Sequence, residues 1–257
     1  MVEKWNITIP ELTGDETRSA YIYLPESYNY DTDRRYPVLY MFDGHNVFFD
    51  SDATYGKSWG MKEYMDHTAT PLIIAAVECN HSPDNGRLRE YSPYTFSDPQ
   101  FGTIRGLGQL TIEWLIHTFK TDIDRNFRTL PDREHTLIAG SSMGGLMSLY
   151  AVLEYNRFFS KAAALSPSIW TAPAQLEQLI RRSSLLPDTA VYMDCGSEEL
   201  KNHRGADMAA LLGRFTSLLF QKNICVESRI VPGGTHCEAS WERQIPFFMD
   251  ALLYTIL

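Results

Sequence analysis

The segment GSSMG at residues 140–144 constrains the fold of this chain more than any other part of the sequence. It has the pattern Gly-x-Ser-x-Gly, follows the apolar run 136–139 and precedes a helical pattern over 145–155. A serine between a buried strand and a helix lies on a tight turn, where its hydroxyl stands clear of the sheet and faces the N-terminal dipole of the helix. Gly140 and Gly144 allow the helix to pack close to the strand. The pattern predicts a nucleophilic Ser142, and the alternative is a glycine-rich turn without chemistry.

The rest of the chain alternates short β-branched and aromatic runs with amphipathic helical patterns. Turn residues at 13–15 separate the first two runs, which predicts an antiparallel hairpin. The later runs are continuously apolar, as in strands covered on both faces of a mostly parallel sheet. We predict one α/β domain over residues 1–257, with about eight strands, helices on both faces and ligands at the carboxyl ends of the strands. The predicted strands are 5–9, 20–24, 38–42, 72–77, 136–139, 162–165, 191–194 and 225–231, and the predicted helices are 110–119, 145–155, 174–182, 206–221 and 241–253.

A serine hydroxyl needs a base to take its proton, and at a strand–turn–helix site the base follows the nucleophile in the chain. Of the seven histidines, only His203 and His236 come after Ser142. His236 lies between the last apolar strand and the final helix, at the carboxyl end of a strand, and is the predicted base. A surface loop histidine is the alternative for this position. His203 falls in a polar stretch and is assigned to a solvent-exposed loop.

The acid that orients the histidine is expected just after the strand 191–194. Asp194 lies on the strand itself and is expected to come too early. Glu199 follows the turn after Gly196 and is the predicted acid. Adjacent carboxylates cannot be separated by spacing, so Glu198 stays open as the alternative, and one of the two is expected to be solvated.

Acyl transfer also needs two backbone N–H donors for the oxyanion that develops on the substrate. One is expected at Met143, the residue after the nucleophile, and the other in the loop after the third strand, where Gly44 lets the backbone turn its amides inward. We assign the second donor to the backbone of His45. The alternative for this loop is a metal cluster of Asp43, His45, Asp50 and Asp52. That spacing fits no regular ligand pattern, so neither a metal nor an organic cofactor is predicted.

Seven segments occur in order along the chain: YPVLY at 36–40, DGHNVF at 43–48, RLREYSP at 87–93, GSSMGG at 140–145, SPSIW at 166–170, DCGSEE at 194–199 and GGTH at 233–236. Taken in this order, they resemble the "putative esterase" branch of the α/β-hydrolases. This branch includes esterase D-like S-formylglutathione hydrolases, enterochelin-type siderophore esterases, feruloyl and acetylxylan esterases, and mycolyltransferases. The resemblance covers roughly residues 18–248 and implies an α/β-hydrolase fold with a triad of Ser142, Glu199 and His236.

Two tryptophans near these motifs are candidates for the substrate pocket. Trp170 follows the strand after the nucleophile helix, and Trp59 lies beyond the oxyanion loop; a core position is an equal alternative for each. The polar, aperiodic stretch 78–108 is expected on the surface, where such insertions often line sites. Within it, Arg87 and Glu90 are expected to pair and to fix the loop.

Charge and composition narrow the choice of partner. The chain has 23 Lys and Arg against 32 Asp and Glu, a net charge of −9, which argues against nucleic-acid and anionic-membrane partners. No basic start followed by an apolar run is visible, and the four cysteines form no CxxC pair, so a cytoplasmic protein is expected. The sequence leaves a homo-oligomer open.

The predicted function is hydrolysis of a small acyl, carbohydrate or aromatic ester by a serine carboxylesterase. Two alternatives stay open at this point. An acyltransferase would use the same triad, and a non-catalytic binding protein would keep the fold without turnover.

Overall fold

The centre of the protein is an eight-stranded sheet, described here in a computed structural model that covers residues 1–201 and 205–256. His203 therefore lies outside the described residues. The strands are β1 (Val2–Thr8), β2 (Thr17–Tyr23), β3 (Val38–Met41), β4 (Ile73–Val77), β5 (Phe96–Asp98), β6 (Gly102–Ile104), β7 (Thr136–Ser141), β8 (Lys161–Leu165), β9 (Ala190–Gly196) and β10 (Cys225–Val231).

The order of the strands across the sheet is β1-β2-β4-β3-β7-β8-β9-β10, and β5 and β6 form a separate hairpin. The β1–β2 and β2–β4 pairs are antiparallel, and all the other pairs in the large sheet are parallel. The mostly parallel sheet with an N-terminal antiparallel hairpin is thus confirmed. Strands β3, β7 and β8 are buried along their whole length, as their continuous apolar runs predicted.

Helices cover both faces of this sheet. Successive side chains of β7 point to opposite faces, so Ile138 joins one apolar cluster with α-helical residues such as Leu146, while Leu137 joins a second with Phe248. The helices are α1 (Pro10–Thr13), α2 (Met61–Thr68), α3 (Gly86–Glu90), α4 (Gly108–Trp114), α5 (Thr121–Asn126), α6 (Met143–Glu154), α7 (Pro173–Arg182), α8 (Gly205–Phe220), α9 (Glu238–Glu242) and α10 (Ile245–Leu253).

Two of the predicted helices differ from the structure in their boundaries. The pattern over 110–119 continues from α4 through a π-helical segment, Leu115–Lys120, into α5. The pattern over 241–253 is divided into α9 and α10 because Pro246 lies in the first turn of α10, where its missing N–H is tolerated, and could not lie inside a continuous helix. No helix among the described residues combines the length and apolar character needed to cross a bilayer.

The stretch 78–108 is less exposed than its composition indicated. Glu90 lies at the end of α3, is 3% exposed, and forms an ion pair of 2.7 Å with Arg18 of β2, which is equally buried. The predicted pairing of Arg87 with Glu90 is therefore wrong. A buried carboxylate requires a buried cation, and the partner comes from a strand 72 residues away rather than from the same loop.

Candidate active site

Ser142 lies at the junction of β7 and α6 in a conformation that side chains rarely adopt, with φ 56° and ψ −120°. Its N–H donates to the carbonyl of Leu165 at 2.9 Å, which fixes the turn against β8. A Cβ on Gly140 would lie 2.7 Å from the carbonyl carbon of Gly144, so this close approach of strand and helix needs glycine. The predicted strand–turn–helix element is present, and the Ser142 side chain is partly exposed.

His236 lies in the loop between β10 and α9, and its ring contacts the predicted acid. Its Nδ1 is 2.6 Å from Oε2 of Glu199. Ser142 and His236 both line one cavity of about 290 Å³, which we call the serine cavity. No hydrogen bond joins these two described side chains; the Ser142 hydroxyl lies 3.4 Å from that of Ser168. Catalytic hydrogen bonds are often long in the free enzyme and shorten when substrate binds.

The structure brings Glu199, rather than Glu198, to the histidine. Oε1 of Glu199 accepts hydrogen bonds from the Ser166 hydroxyl at 2.7 Å and from the Gly196 amide at 2.9 Å, while Oε2 faces His236. Burial favours the neutral acid, but the hydrogen bonds from His236 and Ser166 outweigh it and lower the pKa of Glu199. Glu198 points to the surface and pairs with Lys201.

Close packing of two loops explains why Glu199 is the nearer carboxylate. A Cβ on Gly196 would lie 2.3 Å from the carbonyl oxygen of Gly234, so the loop after β9 contacts the loop that carries His236. The Glu198 amide donates to that same carbonyl at 2.9 Å. This contact turns the Glu198 side chain outward and leaves Glu199 facing the histidine.

Two residues that support the acid and the histidine were not predicted from the sequence. Ser166 donates to Glu199 and accepts a hydrogen bond of 3.1 Å from the indole N–H of Trp241. The Trp241 ring also packs edge-on against His236, with centroids 5.1 Å apart. Ser166 is the first residue of the SPSIW segment, in which the sequence had indicated a role for Trp170 only.

Asp194 ends up beneath the site, as expected for a residue still on the strand. It is 1% exposed and accepts hydrogen bonds from the Ser166 amide at 3.0 Å and the Tyr192 hydroxyl at 2.9 Å. Burial raises the pKa of Asp194 to about 7. The carboxyl supports the turn that carries Ser166 and does not contact His236.

Replacing Asp194 with asparagine is expected to stabilise the protein much more at pH 8 than at pH 5. Its folded pKa of about 7 lies above the unfolded value of about 3.9, so ionisation of Asp194 costs folding free energy. That cost is absent below about pH 4, grows as pH rises and is complete above pH 7, where it reaches at most about 4 kcal/mol. Urea unfolding of wild type and variant at both pH values measures the difference in their free energies of unfolding. A difference between the two proteins that does not change with pH would contradict this assignment.

The two candidate oxyanion donors lie on elements that leave their amides free. Met143 is the first residue of α6, and His45 lies in a short 3₁₀ turn, Gly44–Asn46, directly after β3. Among the described residues, neither amide N–H has a protein acceptor. The turn before His45 is made by Asp43, at φ 56° and ψ 50°, rather than by Gly44 as the sequence had indicated.

An ion pair holds the loop that carries His45 in this conformation. Arg87 donates two hydrogen bonds of 2.7 Å to the carboxylate of Asp43, and the Asp43 amide donates to the Tyr91 hydroxyl at 3.2 Å. Burial alone would raise the pKa of Asp43, but the Arg87 charge and hydrogen bonds outweigh it and lower that pKa. Arg87 therefore fixes the loop through Asp43, in place of the pairing with Glu90 that the sequence had indicated.

Asp50 and Asp52 do not join Asp43 and His45 in a metal cluster. The Asp50 carboxylate accepts hydrogen bonds from the Ser58 amide and hydroxyl. Asp52 accepts from Lys4 and from the Tyr21 hydroxyl. The alternative that the spacing had left open for these four residues is therefore wrong.

A second cavity, of about 420 Å³, meets the serine cavity at His236. Trp170 lines it, together with Met208 and Glu199, and we call it the tryptophan cavity. Trp59 lines neither cavity. It is 3% exposed and packs against Trp241 and Phe248 in the core, because its ring lies under the sheet face that α10 covers. The expectation of a pocket wall at Trp59 is therefore wrong.

Comparison with known proteins agrees with this architecture. The sheet order and the serine turn define an α/β-hydrolase. The chain belongs to the family described as "Putative esterase", whose model matches residues 13–249. It is 31% identical over 186 residues to the uncharacterised protein YbbA of Bacillus subtilis (strain 168), covering 71% of this chain and 69% of that protein. It is 31% identical over 150 residues to Esterase Rv1288 of Mycobacterium tuberculosis, covering 57% of this chain but only 28% of that longer protein.

Solved structures share the fold at lower sequence identity. An IroE-like serine hydrolase from Shewanella oneidensis has a TM-score of 0.76 and 20% identity, over 99% of this chain and 79% of that one. The siderophore hydrolase EstA of Aspergillus nidulans has a TM-score of 0.71 and 16% identity, over 98% of this chain and 95% of that one. These likenesses bear on the fold alone.

Proposed function

We propose that this protein is a serine carboxylesterase that uses Ser142, His236 and Glu199 as its triad. One observation carries the proposal: a strained serine on a strand–turn–helix element shares a cavity with a histidine whose Nδ1 lies 2.6 Å from a partly buried carboxylate. That carboxylate is fixed by two further hydrogen bonds, so the imidazole is held in one tautomer.

The proposed reaction proceeds through an acyl-enzyme. The Nδ1–H group of His236 donates a hydrogen bond to Glu199, so the ring presents an unprotonated Nε2. This nitrogen takes the proton of Ser142 as the hydroxyl attacks the ester carbonyl. The amides of Met143 and His45 stabilise the oxyanion. His236 then protonates the leaving alcohol. In the second half of the reaction it takes a proton from a water molecule, which attacks the acyl-enzyme, releases the carboxylic acid product and restores the Ser142 hydroxyl. The reaction needs no cofactor.

We propose that the two cavities hold the two parts of the substrate. The serine cavity has a polar wall that includes His45, His81 and Arg87, whereas Trp170 and Met208 give the tryptophan cavity one apolar wall opposite polar lining residues. An ester whose carbonyl carbon lies at Ser142 would extend one part into each cavity. Volumes of about 290 and 420 Å³ suit small esters that carry an aromatic or hydroxylated group. A siderophore hydrolase and a ferulic acid esterase are among the solved structures that share this fold.

A panel of esters tests the function and separates it from its two rivals. We expect release of p-nitrophenol from the acetyl and butyryl esters, together with turnover of at least one feruloyl, acetyl-sugar or siderophore ester. Added acceptor alcohols should leave the carboxylic acid as the main product. Transfer of most of the acyl group to the alcohol would favour an acyltransferase. A folded protein that binds these esters without turning over any of them would favour a binding protein.

A further inference from the structure

The serine cavity contains a second group of side chains that the proposed reaction does not use. One ligand atom from each of His45, Cys79 and His81 lies within 4.8 Å of the other two. His45 follows β3, and Cys79 and His81 follow β4, so two neighbouring parallel strands bring the three side chains to one edge of the sheet. All three residues line the cavity that Ser142 also lines.

The His45 side chain has an unused ligand atom. It is 4% exposed, and its Nε2 lies 3.0 Å from the Thr54 hydroxyl. Its Nδ1 is buried and has no hydrogen-bond partner among the described residues. A buried ring nitrogen without a partner costs about 1–3 kcal/mol unless something binds it. When Nε2 carries the proton and donates to Thr54, Nδ1 presents the lone pair that metal-binding imidazoles use.

The distances in this group are close to those of a bound zinc ion. Sγ of Cys79 lies 4.0 Å from Nε2 of His81, and the rings of His81 and His45 pack edge to face with centroids 4.9 Å apart. A tetrahedral Zn²⁺, with bonds of about 2.3 Å to sulfur and about 2.0 Å to nitrogen, would separate such atoms by about 3.5 Å. Closing this gap needs a movement of about half an ångström between Cys79 and His81 (4.0 Å against about 3.5 Å), and the ligand atom of His45 lies within 4.8 Å of both. Two imidazoles and one thiolate, with a fourth position open to the cavity, are a ligand set typical of Zn²⁺.

The charges around the group also favour a cation. Oε1 of Glu78 lies 3.1 Å from Nε2 of His81, so a bound ion would replace the proton between these two atoms and leave the carboxylate beside the site. The buried Asp43 carboxylate lies near Cys79, although Arg87 partly neutralises it. Binding of Zn²⁺ by the Cys79 thiolate replaces the S–H bond by an S–Zn bond and releases that proton to solvent.

We propose that His45, Cys79 and His81 form a zinc-binding site beside Ser142, and that a bound ion inhibits the enzyme. The ion would occupy part of the serine cavity and would anchor the side chain of the residue whose backbone we assign to the oxyanion hole. Binding of the metal depends on these three side chains alone. Its inhibitory effect rests on the proposed esterase function.

Titration of the chelator-treated, full-length protein with Co²⁺, the spectroscopic substitute for Zn²⁺, tests the site without any assay of activity. We expect one equivalent to bind, with the visible absorption of four-coordinate Co²⁺ and a thiolate-to-metal charge-transfer band, and Zn²⁺ to displace it. Cys79→Ser should abolish the charge-transfer band and weaken binding by at least about tenfold. The matched control is Cys225→Ser, which removes an exposed thiol on β10 and should keep the band.

A second variant covers the case in which the buried Cys79 is needed for folding. The His81 side chain is half-exposed, so His81→Gln should fold and still bind Co²⁺ at least about tenfold more weakly than wild type. Absence of stoichiometric binding in the wild type, or a charge-transfer band that persists in Cys79→Ser, would overturn the site.

Inhibition is measured separately. Zn²⁺ should slow ester hydrolysis by the wild type, a chelator should restore the rate, and His81→Gln should need at least about tenfold more Zn²⁺ for the same effect. Spectroscopic binding without inhibition of an active enzyme would overturn the inhibitory claim. A protein that binds Co²⁺ at this site but hydrolyses no ester would instead contradict the proposed function.

Discussion

Replacing Ser142 with alanine is expected to lower kcat/KM by about 10⁴- to 10⁶-fold on every ester that the wild type hydrolyses. The change removes the atom that forms the acyl-enzyme, while the oxyanion donors and both cavities are retained. A small rate above that of the uncatalysed reaction should therefore remain. Initial rates with a p-nitrophenyl ester, combined with a thermal unfolding curve that shows an intact fold, measure this effect.

The neighbouring Ser141 provides a matched control for the same short segment. It is the last residue of β7 and is 5% exposed, so Ser141→Ala removes an equivalent hydroxyl without removing the proposed nucleophile. We expect this variant to retain most of the wild-type rate. A Ser142→Ala protein that keeps the full rate, or a Ser141→Ala protein that loses it, would remove the basis for the triad.

Replacing Glu199 with glutamine is expected to lower kcat by about 10³- to 10⁴-fold, because it reverses the tautomer of His236. A glutamine amide facing Nδ1 would donate to that atom, so the ring proton would move to Nε2 and the ring could no longer accept the proton of Ser142. The variant keeps the size of the side chain and an oxygen for the Ser166 and Gly196 hydrogen bonds.

Glu198→Gln is the natural control, since it makes the same chemical change one residue away. Glu198 pairs with Lys201 at the surface, and exposed ion pairs of this kind contribute little to stability. We expect this variant to keep nearly the full rate. A larger loss in Glu198→Gln than in Glu199→Gln would mean that the other carboxylate orients the histidine.

The features that could be predicted from the sequence are those encoded by neighbouring residues. The serine turn between a strand and a helix depends on a few consecutive residues around Ser142, and the strand positions depend on short apolar runs, so local patterns were sufficient. The order of nucleophile and base along the chain left His203 and His236, and the position of His236 after the last apolar run favoured it as the predicted base. Spacing left Glu198 and Glu199 as alternatives, because the contact that turns one of them outward involves Gly234, far along the chain.

The interpretations that were wrong concern contacts between distant segments. Arg87 binds Asp43, 44 residues away, and Glu90 binds Arg18, 72 residues away, although the two residues lie on one short helix. Trp59 is buried against Trp241, which follows it by 182 positions (241 − 59). The partners of buried charges and large aromatic side chains are set by the tertiary fold, so the local sequence pattern does not predict them.

The proposed function is tested most directly by labelling the protein with a fluorophosphonate, which forms a stable covalent bond with an activated serine. Mass spectrometry of the intact protein and of its peptides should show one adduct per chain, located on Ser142, and no adduct in Ser142→Ala. His236→Ala should slow the labelling strongly, because the serine would lose its base. Absence of an adduct from the folded wild type, or an adduct on another residue, would contradict the assignment of Ser142 as the nucleophile.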